Sequence, residues 1–254
     1  MVFDLQKASL WKRISAFLFD GILFSIVAVL FAFLLSGLLG YDGYRQALND
    51  RYAHFAEVYD TNLNPTAEEY EAMTEADVRR FLDAYEAMSR DEETIRAYRM
   101  TLQLTLLIIS FSLLLACLIM EFILPLILKN GQTLGKKIFS LGLMRADGVK
   151  VSTLSLFIRS ILGKYTLEIM IPVLIALMLY MGALGTMGYI LLALILLVNL
   201  AVMYFTQTNS LLHDLMAGTV VIDLPSQMIF DSPEEMIAYK EKIHAETVAN
   251  DREY

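Results

Sequence analysis

The chain has 254 residues, of which 57% are hydrophobic and only 19% are charged, and its net charge is −8. Such an apolar composition is typical of an integral membrane protein rather than a soluble domain. The acidic balance argues against a nucleic-acid-binding protein, which needs a basic surface. The single cysteine, Cys117, excludes an internal disulfide, and its apolar surroundings predict a buried thiol.

Four long apolar runs predict four membrane-spanning helices, because each approaches the roughly 20 residues that cross about 30 Å of hydrocarbon. The first run is too long for a signal peptide and lacks a cleavage site, so we expect it to remain as a span. The "GTMG" stretch (Gly185–Gly188) predicts a tight hairpin between the last two runs. We therefore predict an all-α, multi-pass membrane protein. The runs are Ile14–Leu39, Leu102–Leu128, Leu167–Leu184 and Tyr189–Phe205.

Basic residues in the short loops predict the orientation of the spans. The N-terminal flank carries Lys7, Lys12 and Arg13, and the loop 129–164 carries seven basic residues against one acid. We therefore expect both termini and this loop in the cytoplasm, and the protein in the cell membrane. The long segment 41–99 has seven arginines but twice as many acids, and it is expected to be extracytoplasmic.

The extracytoplasmic segment is predicted to form a small helical insertion, because its apolar residues recur at helical spacing. Thr66 with Glu69 predicts a capping box at the start of its second half. Its many acids favour a solvated surface, with a cation-attracting vestibule as the alternative. The two apolar stripes comprise Tyr44, Leu48, Tyr52, Phe55 and Tyr59, and then Val78, Phe81, Leu82, Tyr85 and Met88.

Two further helices are predicted on the cytoplasmic side. Residues Val151–Tyr165 place their apolar side chains on one face, with Arg159 and Lys164 off that face, which is typical of a helix lying in the membrane interface. Residues Ser232–Ala249 begin with a serine cap and a proline at the first helical position, which predicts a soluble tail helix. The predicted segments are 1–40, 41–99, 100–128, 129–165, 166–206 and 207–254.

Three stretches, taken in order, resemble the RDD family of membrane proteins, which is named for an arginine and two aspartates. "KRISAFLFDG" supplies Arg13 and Asp20, and "LLHDLMAGTVVI" supplies Asp214 as the second aspartate. Between them, "GQTLGKKIFSLGLMRADG" is similar to the basic segment of the family. The segments 41–99 and 224–254 lie outside the pattern. The matching residues of the basic segment are Gly131, Gln132, Thr133, Gly135, Lys136 and Lys137.

The resemblance implies transport rather than catalysis. Some members of the family are linked to cation/proton exchange, and transport of unspecified ligands has been suggested for others. No nucleophile–base pair, metal constellation or cofactor motif stands in the sequence. We therefore expect a transporter of a cation or small solute coupled to protons, with a non-transporting membrane adaptor as the alternative. A water-accessible cavity reaching Asp20 would favour transport, and a sealed, fully paired polar cluster would favour the adaptor.

Asp20 is the most informative residue, because a carboxylate near the middle of a span costs about 2.5–3.5 kcal/mol on insertion scales. It should therefore face the interior of the helix bundle. Its seven-residue spacing from Arg13 permits a direct pair only if Arg13 folds back along the helix. Further partners are expected at the same depth, with Arg159 and His213 as the first candidates. A histidine such as His213 is also a candidate to pass protons, while the pair His213–Asp214 lacks the remaining ligands of a metal site.

Glu121 and Glu168 share an E-x-x-x-P pattern, in which each proline frees the main-chain carbonyl of the glutamate four residues earlier. A carboxylate beside a free carbonyl suits a hard cation. The alternatives are a structural Arg–Asp network and, for Glu168, a simple pair with Lys164 at headgroup level.

The basic loop predicts contact with lipid. Lys136 and Lys137 are expected to meet anionic lipid, while the glycines of the loop make turns. The expected partners are the bilayer, a monovalent cation or proton, and a second copy of the chain or another membrane protein.

Overall fold

The computed structural model describes residues 8–206 and 208–251, so Lys7 of the predicted basic flank lies outside the described residues. The chain divides into unit 1 (Met1–Ala28 with Leu113–Tyr254) and unit 2 (Val29–Ser112). Within the described residues, four helices are long and apolar enough to cross a membrane, in agreement with the predicted number. They are Leu10–Leu39, Glu92–Leu128, Thr153–Tyr180 and Gly185–Phe205, here called spans 1 to 4.

Unit 2 contains the predicted helical insertion. Beyond α1 (Leu10–Leu39) the chain forms α2 (Tyr41–Val58), α3 (Ala67–Glu71) and α4 (Glu75–Arg90). The next helix, α5 (Glu92–Cys117), is the first part of span 2. Gly40 separates α1 from α2 with a φ of +65°, a conformation that a residue without a Cβ adopts at little cost. The helices of the insertion pack around a small apolar core of Phe55, Leu63, Ala84 and Met88.

Two capping boxes fix where the helices of unit 2 begin. The predicted box is confirmed: Thr66 accepts the Glu69 amide, and Glu69 accepts the Thr66 amide. A second box, formed by Thr74 and Asp77, starts α4 and was not predicted. Each box satisfies two amides that a helix start would otherwise leave without partners.

Spans 2 and 3 of unit 1 contain π-helical segments. Span 2 passes from α5 through the π segment Leu118–Ile123 into α6 (Leu124–Leu128). Span 3 runs through α8 (Thr153–Phe157), the π segment Ile158–Met170 and α9 (Ile171–Tyr180). In both spans a proline stands at the second residue after the π segment, where its missing N–H already interrupts the α-helical pattern.

The structure corrects two boundaries of the prediction. No break separates the predicted interfacial helix 151–165 from span 3, because residues Thr153–Tyr180 form one continuous helix. The apolar stripe that suggested an interfacial helix lies on the first half of this continuous helix. The turn to α10 (Gly185–Phe205) occupies residues 181–184, slightly before the predicted GTMG stretch, and Gly182 supplies its positive φ of +72°.

A short helix and a strand follow each pair of spans in unit 1. The elements α7 (Leu134–Ile138) and β1 (Leu141–Arg145) come after span 2, and α11 (Leu212–Ala217) and β2 (Thr219–Asp223) come after span 4. The two strands form an antiparallel pair with Leu143 opposite Val221. This small sheet was not predicted. Its side chains are among the most deeply buried in the described chain: Leu141, Leu143, Met144, Val220 and Ile222.

The tail helix α12 runs over Pro233–Asp251 and agrees with the prediction. The Ser232 hydroxyl accepts the Glu235 amide at 3.2 Å, and Pro233 occupies the first helical position.

Candidate functional site

Unit 1 contains a group of buried and half-buried ionisable side chains that we call the ionic cluster. Its members come from spans 1, 2 and 3 and from the short helices α7 and α11, so the helix–strand elements bring it together. It contains four acids, three amines or guanidinium groups, and one imidazole. The members are Asp20, Glu121, Lys136, Arg159, Lys164, Glu168, His213 and Asp214.

Asp20 is buried, as predicted, but its partners differ from the prediction. The Thr133 hydroxyl donates to Oδ2, and the Gly135 amide donates to Oδ1 at 2.7 Å. Thr133 is the N-cap of α7, so the carboxylate of Asp20 adds a second acceptor at the start of the same helix. The expected partners Arg13, Arg159 and His213 bond elsewhere within the described chain.

Gly135 allows this contact because it has no side chain. A Cβ at this position would collide with the carbonyl oxygen of Ala16 and would lie 2.9 Å from the carboxylate of Asp20. The glycine that was expected only to make a turn therefore permits span 1 to touch the backbone of α7.

Lys136 belongs to the ionic cluster, which corrects the prediction that it meets lipid. Only 7% of the residue is exposed, and its Nζ lies 3.3 Å from the Thr133 hydroxyl. Burial lowers the pKa of Lys136 to about 8, assisted by Arg159 and opposed mainly by Glu121. Lys137 is exposed and stays a candidate for lipid contact.

Glu121 is held by two cations of span 3. Lys164 donates to Oε1 at 2.6 Å, and Arg159 Nη1 lies 3.7 Å from Oε2, too far for a hydrogen bond. Within the described residues Oε2 has no hydrogen-bond partner, although it is buried. The main-chain carbonyl of Glu121 accepts the Ser160 hydroxyl at 2.6 Å. The carbonyl expected to lose its helical partner is thus satisfied by a serine rather than by a cation.

Arg159 joins spans 2 and 3 to α11. Its Nε donates to Asp214 Oδ1 at 2.7 Å, and both side chains are at most 5% exposed. Burial alone would raise the pKa of Asp214, but the charge of Arg159 and the hydrogen bond from it lower this pKa well below its ordinary value. The Thr219 hydroxyl adds a hydrogen bond to the same carboxylate oxygen at 2.9 Å.

His213 connects Arg159 with Glu168. Arg159 Nη2 lies 2.9 Å from His213 Nε2, and because a guanidinium only donates, Nε2 must accept. The remaining hydrogen then sits on Nδ1, which lies 2.8 Å from the carboxylate of Glu168. Glu168 also accepts the main-chain amide of His213 at 3.2 Å. The alternative pair of Glu168 with Lys164 is not the one formed.

Arg13 lies beside the ionic cluster and binds main-chain carbonyls. Its guanidinium donates to Thr208 and Asn209 at 3.2 and 3.0 Å and to Val221 at 2.6 Å. Arg13 therefore ties the start of span 1 to the loop after span 4 and to β2. Among the described residues it pairs with neither Asp20 nor another carboxylate at hydrogen-bond distance, although it interacts electrostatically with Asp214.

The remaining residues of the basic segment shape its backbone. Gly131 has a φ of +60°, and a Cβ there would lie 2.8 Å from the Cβ of Leu143. The side-chain amide of Gln132 donates to the main-chain carbonyl of Leu141 at 2.7 Å. These two residues hold the loop against β1 and set the direction in which α7 begins.

Comparison with known protein families assigns most of the chain to one family. The sequence model of the RDD family matches residues 7–218. The chain belongs to the RDD family. No curated protein and no solved structure matches it. In this RDD protein Arg13 and Asp20 tie span 1 to β2 and to α7, and Asp214 ties α11 to span 3.

Thr133 and Ser160 are the functional positions that sequence reasoning missed as partners. Thr133 stood within the basic segment, but nothing in its neighbourhood indicated a contact 113 residues earlier in the chain. Ser160 had a usable signal, because a buried hydroxyl facing a proline-containing span is a suitable donor for a freed carbonyl. Lys164 donates to one oxygen of Glu121 and His213 pairs with Glu168, so both glutamates have protein partners, and the expected cation site stays a prediction.

Proposed function

We propose that this RDD-family protein moves a small cation or another small solute across the membrane in exchange for protons. Lys136 is the group that exchanges the protons, and Glu121 is a buried carboxylate that interacts with its charge. The observation that carries the proposal is a buried carboxylate with one unbonded oxygen, which interacts electrostatically with a buried lysine whose pKa is about 8.

Buried charges of this kind are an expensive way to hold helices together. Apolar side chains of similar volume usually stabilise a protein as well as or better than a buried ion pair does. Ionisable residues within membrane spans therefore mark ion or proton pathways by default. A group that gains and loses a proton near neutral pH can couple proton movement to a second solute, and Lys136 meets this requirement.

The arrangement also links Lys136 to the rest of the cluster. Lys136 approaches the Thr133 hydroxyl, which is bonded to Asp20, and its charge acts on Glu121, which is bonded to Lys164. Loss of the proton from Lys136 would remove a positive charge from this group and so change the pairing of the carboxylates. Such a change in pairing is what a transporter needs in order to pass from a sealed to an open arrangement.

A second candidate function is that of a non-transporting membrane adaptor. The observation that favours it is the balance of the cluster: with Arg13, four basic side chains accompany four acidic ones, and Asp20, Glu121 and Asp214 are each less than 9% exposed. A sealed and balanced network can serve only to fix the four spans. The unbonded oxygen of Glu121 and the lowered pKa of Lys136 are not needed for that task.

Proteoliposomes with an internal pH-sensitive dye separate the two functions. Purified protein is reconstituted, and sodium, potassium, lithium and calcium are added in turn under an imposed pH gradient. The variants are Glu121→Gln and Asp20→Asn, with Glu86→Gln as the matched control because that glutamate is 59% exposed in unit 2. Melting temperature is measured on the same preparations.

Transport predicts cation-dependent dissipation of the gradient by the wild type and Glu86→Gln. Glu121→Gln should be folded but inactive, because loss of the negative charge that keeps Lys136 protonated lowers the pKa of this lysine and leaves it neutral. Absence of flux with every cation, together with a lower melting temperature for Glu121→Gln, would instead support the adaptor.

A further inference from the structure

The two helix–strand elements of unit 1 repeat the same backbone path. Residues of α7–β1 and α11–β2 at matching positions are always 78 residues apart, from the first helical residue to the end of the strand. Backbone angles agree at the three positions that set this path: the loop before the helix, the N-cap, and the residue between helix and strand. The pairs are Gly131 and Asn209 (φ +60° and +51°), Thr133 and Leu211 (φ −84° and −81°), and Ser140 and Gly218 (φ +56° and +61°).

The strand pair is symmetric about its centre. Leu141 stands opposite Asp223 and Arg145 opposite Thr219, as a two-fold axis through the central pair requires. The flanking hydrogen bonds obey the same axis. They are the bond from the Ala146 amide to the Gly218 carbonyl at 2.9 Å and the bond from the Leu224 amide to the Ser140 carbonyl at 3.0 Å.

Each short helix receives a carboxylate from the span that begins its half of the chain. Asp20 of span 1 accepts the amide of Gly135, the second residue of α7. Glu168 of span 3 accepts the amide of His213, the second residue of α11. The two acceptors therefore occupy equivalent places, although one is an aspartate and the other a glutamate.

In each copy a glycine lets the span approach the short helix closely, near the carboxylate. In the first copy it is Gly135 of α7, where a Cβ would collide with the backbone of Ala16 in span 1. In the second copy it is Gly163 of span 3, where a Cβ would collide with His213 of α11. Ala16 precedes Asp20 by four residues, whereas Gly163 precedes Glu168 by five. The π-helical segment of span 3 accounts for the extra residue, because it lengthens the turn by one.

Spans 2 and 4 also correspond. Glu121 and Asn199 stand 78 residues apart, and each holds a buried side-chain oxygen without a hydrogen-bond partner among the described residues. The halves differ mainly in the length of the segment that connects their two spans: residues 40–91 link spans 1 and 2, whereas residues 181–184 link spans 3 and 4.

We infer that unit 1 is an internal two-fold repeat, each copy being span, span, short helix and strand, and that Glu168 is the counterpart of Asp20. Glu168 is a positioning residue: it holds α11, and with it His213 and Asp214, as Asp20 holds α7 and Lys136. Spans 1 and 3 run in the same sense, so the axis lies along the membrane normal, as in parallel transporter repeats. The inference does not depend on transport.

Side-chain divergence conceals the repeat in the sequence. Over residues 131–145 and 209–223, only Leu134 and Leu212 are identical. The third residue of the short helix is Lys136 in one copy and Asp214 in the other, so even the charge is reversed. Backbone geometry and the capping carboxylates are what the copies share.

Hydrogen exchange of the full chain in lipid nanodiscs tests the inference. Glu168→Gln should raise exchange of amides in 212–217 by about tenfold, since it weakens a hydrogen bond to a charged acceptor, while leaving 134–138 unchanged. Asp20→Asn should do the reverse. Glu86→Gln is the control, and Glu168→Asp, which keeps the charge, should restore much of the protection of α11.

Unchanged protection of 212–217 in Glu168→Gln, with α7 loosened in Asp20→Asn, would overturn the equivalence. Loosening of both helices by either variant would overturn the assignment of one carboxylate to each copy. If Glu168→Gln does not fold, Glu168→Asp decides alone: a partial and local rise in exchange of α11 supports the inference, and none contradicts it.

Discussion

Arg159 in unit 1 and Arg80 in unit 2 make similar contacts in different surroundings. Arg159 pairs with Asp214 at 2.7 Å, and the two side chains are 3% and 5% exposed. Arg80 pairs with Asp77 at 2.5 Å, but these side chains are 48% and 35% exposed. Water can replace either partner of the exposed pair Arg80–Asp77, whereas loss of one partner of the buried pair Arg159–Asp214 leaves a buried charge without a partner.

This contrast explains how the two units use their charges. The charges of unit 2 cap helices and cover a solvated surface, as the Thr74–Asp77 box does. Those of unit 1 hold spans and short helices in one arrangement, so each is coupled to several others. Four predictions test the contrast, beginning with the largest expected effect.

Arg159→Met should lower the free energy of unfolding by about 3–5 kcal/mol, because it leaves Asp214 and Glu121 buried without their shared cation. Arg80→Met is the matched control and should change it by about 1 kcal/mol or less. Unfolding in mixed detergent micelles, followed by circular dichroism, measures both. Equal effects of the two substitutions would show that the ionic cluster is no more coupled than the surface.

Lys136 should make stability depend on pH in a known direction. The pKa is about 8 in the folded protein and 10.5 in the unfolded chain, so between these values the unfolded chain binds the additional proton. The free energy of unfolding therefore rises with pH across this window, by roughly 3 kcal/mol at about 1.4 kcal/mol per pKa unit.

Lys136→Met should lack this rise, and Lys137→Met, at an exposed position, should keep it. The measurement is the difference in unfolding free energy between wild type and each variant at pH 7 and pH 11. A difference that does not change with pH for Lys136→Met would contradict the burial of a titrating lysine.

Asp20→Asn should destabilise the protein by about 1.5–3 kcal/mol, because two hydrogen bonds to a charged acceptor become bonds to a neutral amide. Thr133→Val should add little in the Asp20→Asn background, since both substitutions remove the same contact. A double-mutant cycle in detergent measures the coupling. Full additivity would show that Thr133 and Asp20 do not act together.

Thr74→Ala should have the smallest effect, a loss of about 1 kcal/mol that is confined to the insertion, because it removes one N-cap of α4. Hydrogen exchange should rise in the first turn of α4 and stay unchanged in 134–138 and 212–217. Increased exchange in either short helix of unit 1 would show that the two units do not respond separately.

The spans and helix caps could be predicted from sequence because their signals are local. Apolar runs revealed all four spans, and the Thr66–Glu69 spacing revealed a box that the structure contains. The arginine and aspartates of the family pattern also pointed to charged residues that the structure places in or beside the ionic cluster. Burial of Asp20 followed from the free energy of placing a carboxylate in a span.

The partners of those charges could not be predicted in the same way. Asp20 meets residues 113 and 115 positions away, and α7 is too short for a helical periodicity to show. The strand β1 reads as part of a basic loop, and its partner β2 lies 78 residues later. On span 3 the predicted apolar stripe is the exposed face, with Leu154 67% and Leu162 45% exposed, and Arg159 lies on the buried face.

The pH dependence of proton exchange in proteoliposomes tests the central claim, that Lys136 in the buried ionic cluster is a working proton carrier. The account predicts cation-driven exchange whose rate changes with a midpoint near pH 8, lost in Lys136→Met and kept in Lys137→Met. Exchange by Lys136→Met with the same rate and midpoint as the wild type would contradict it.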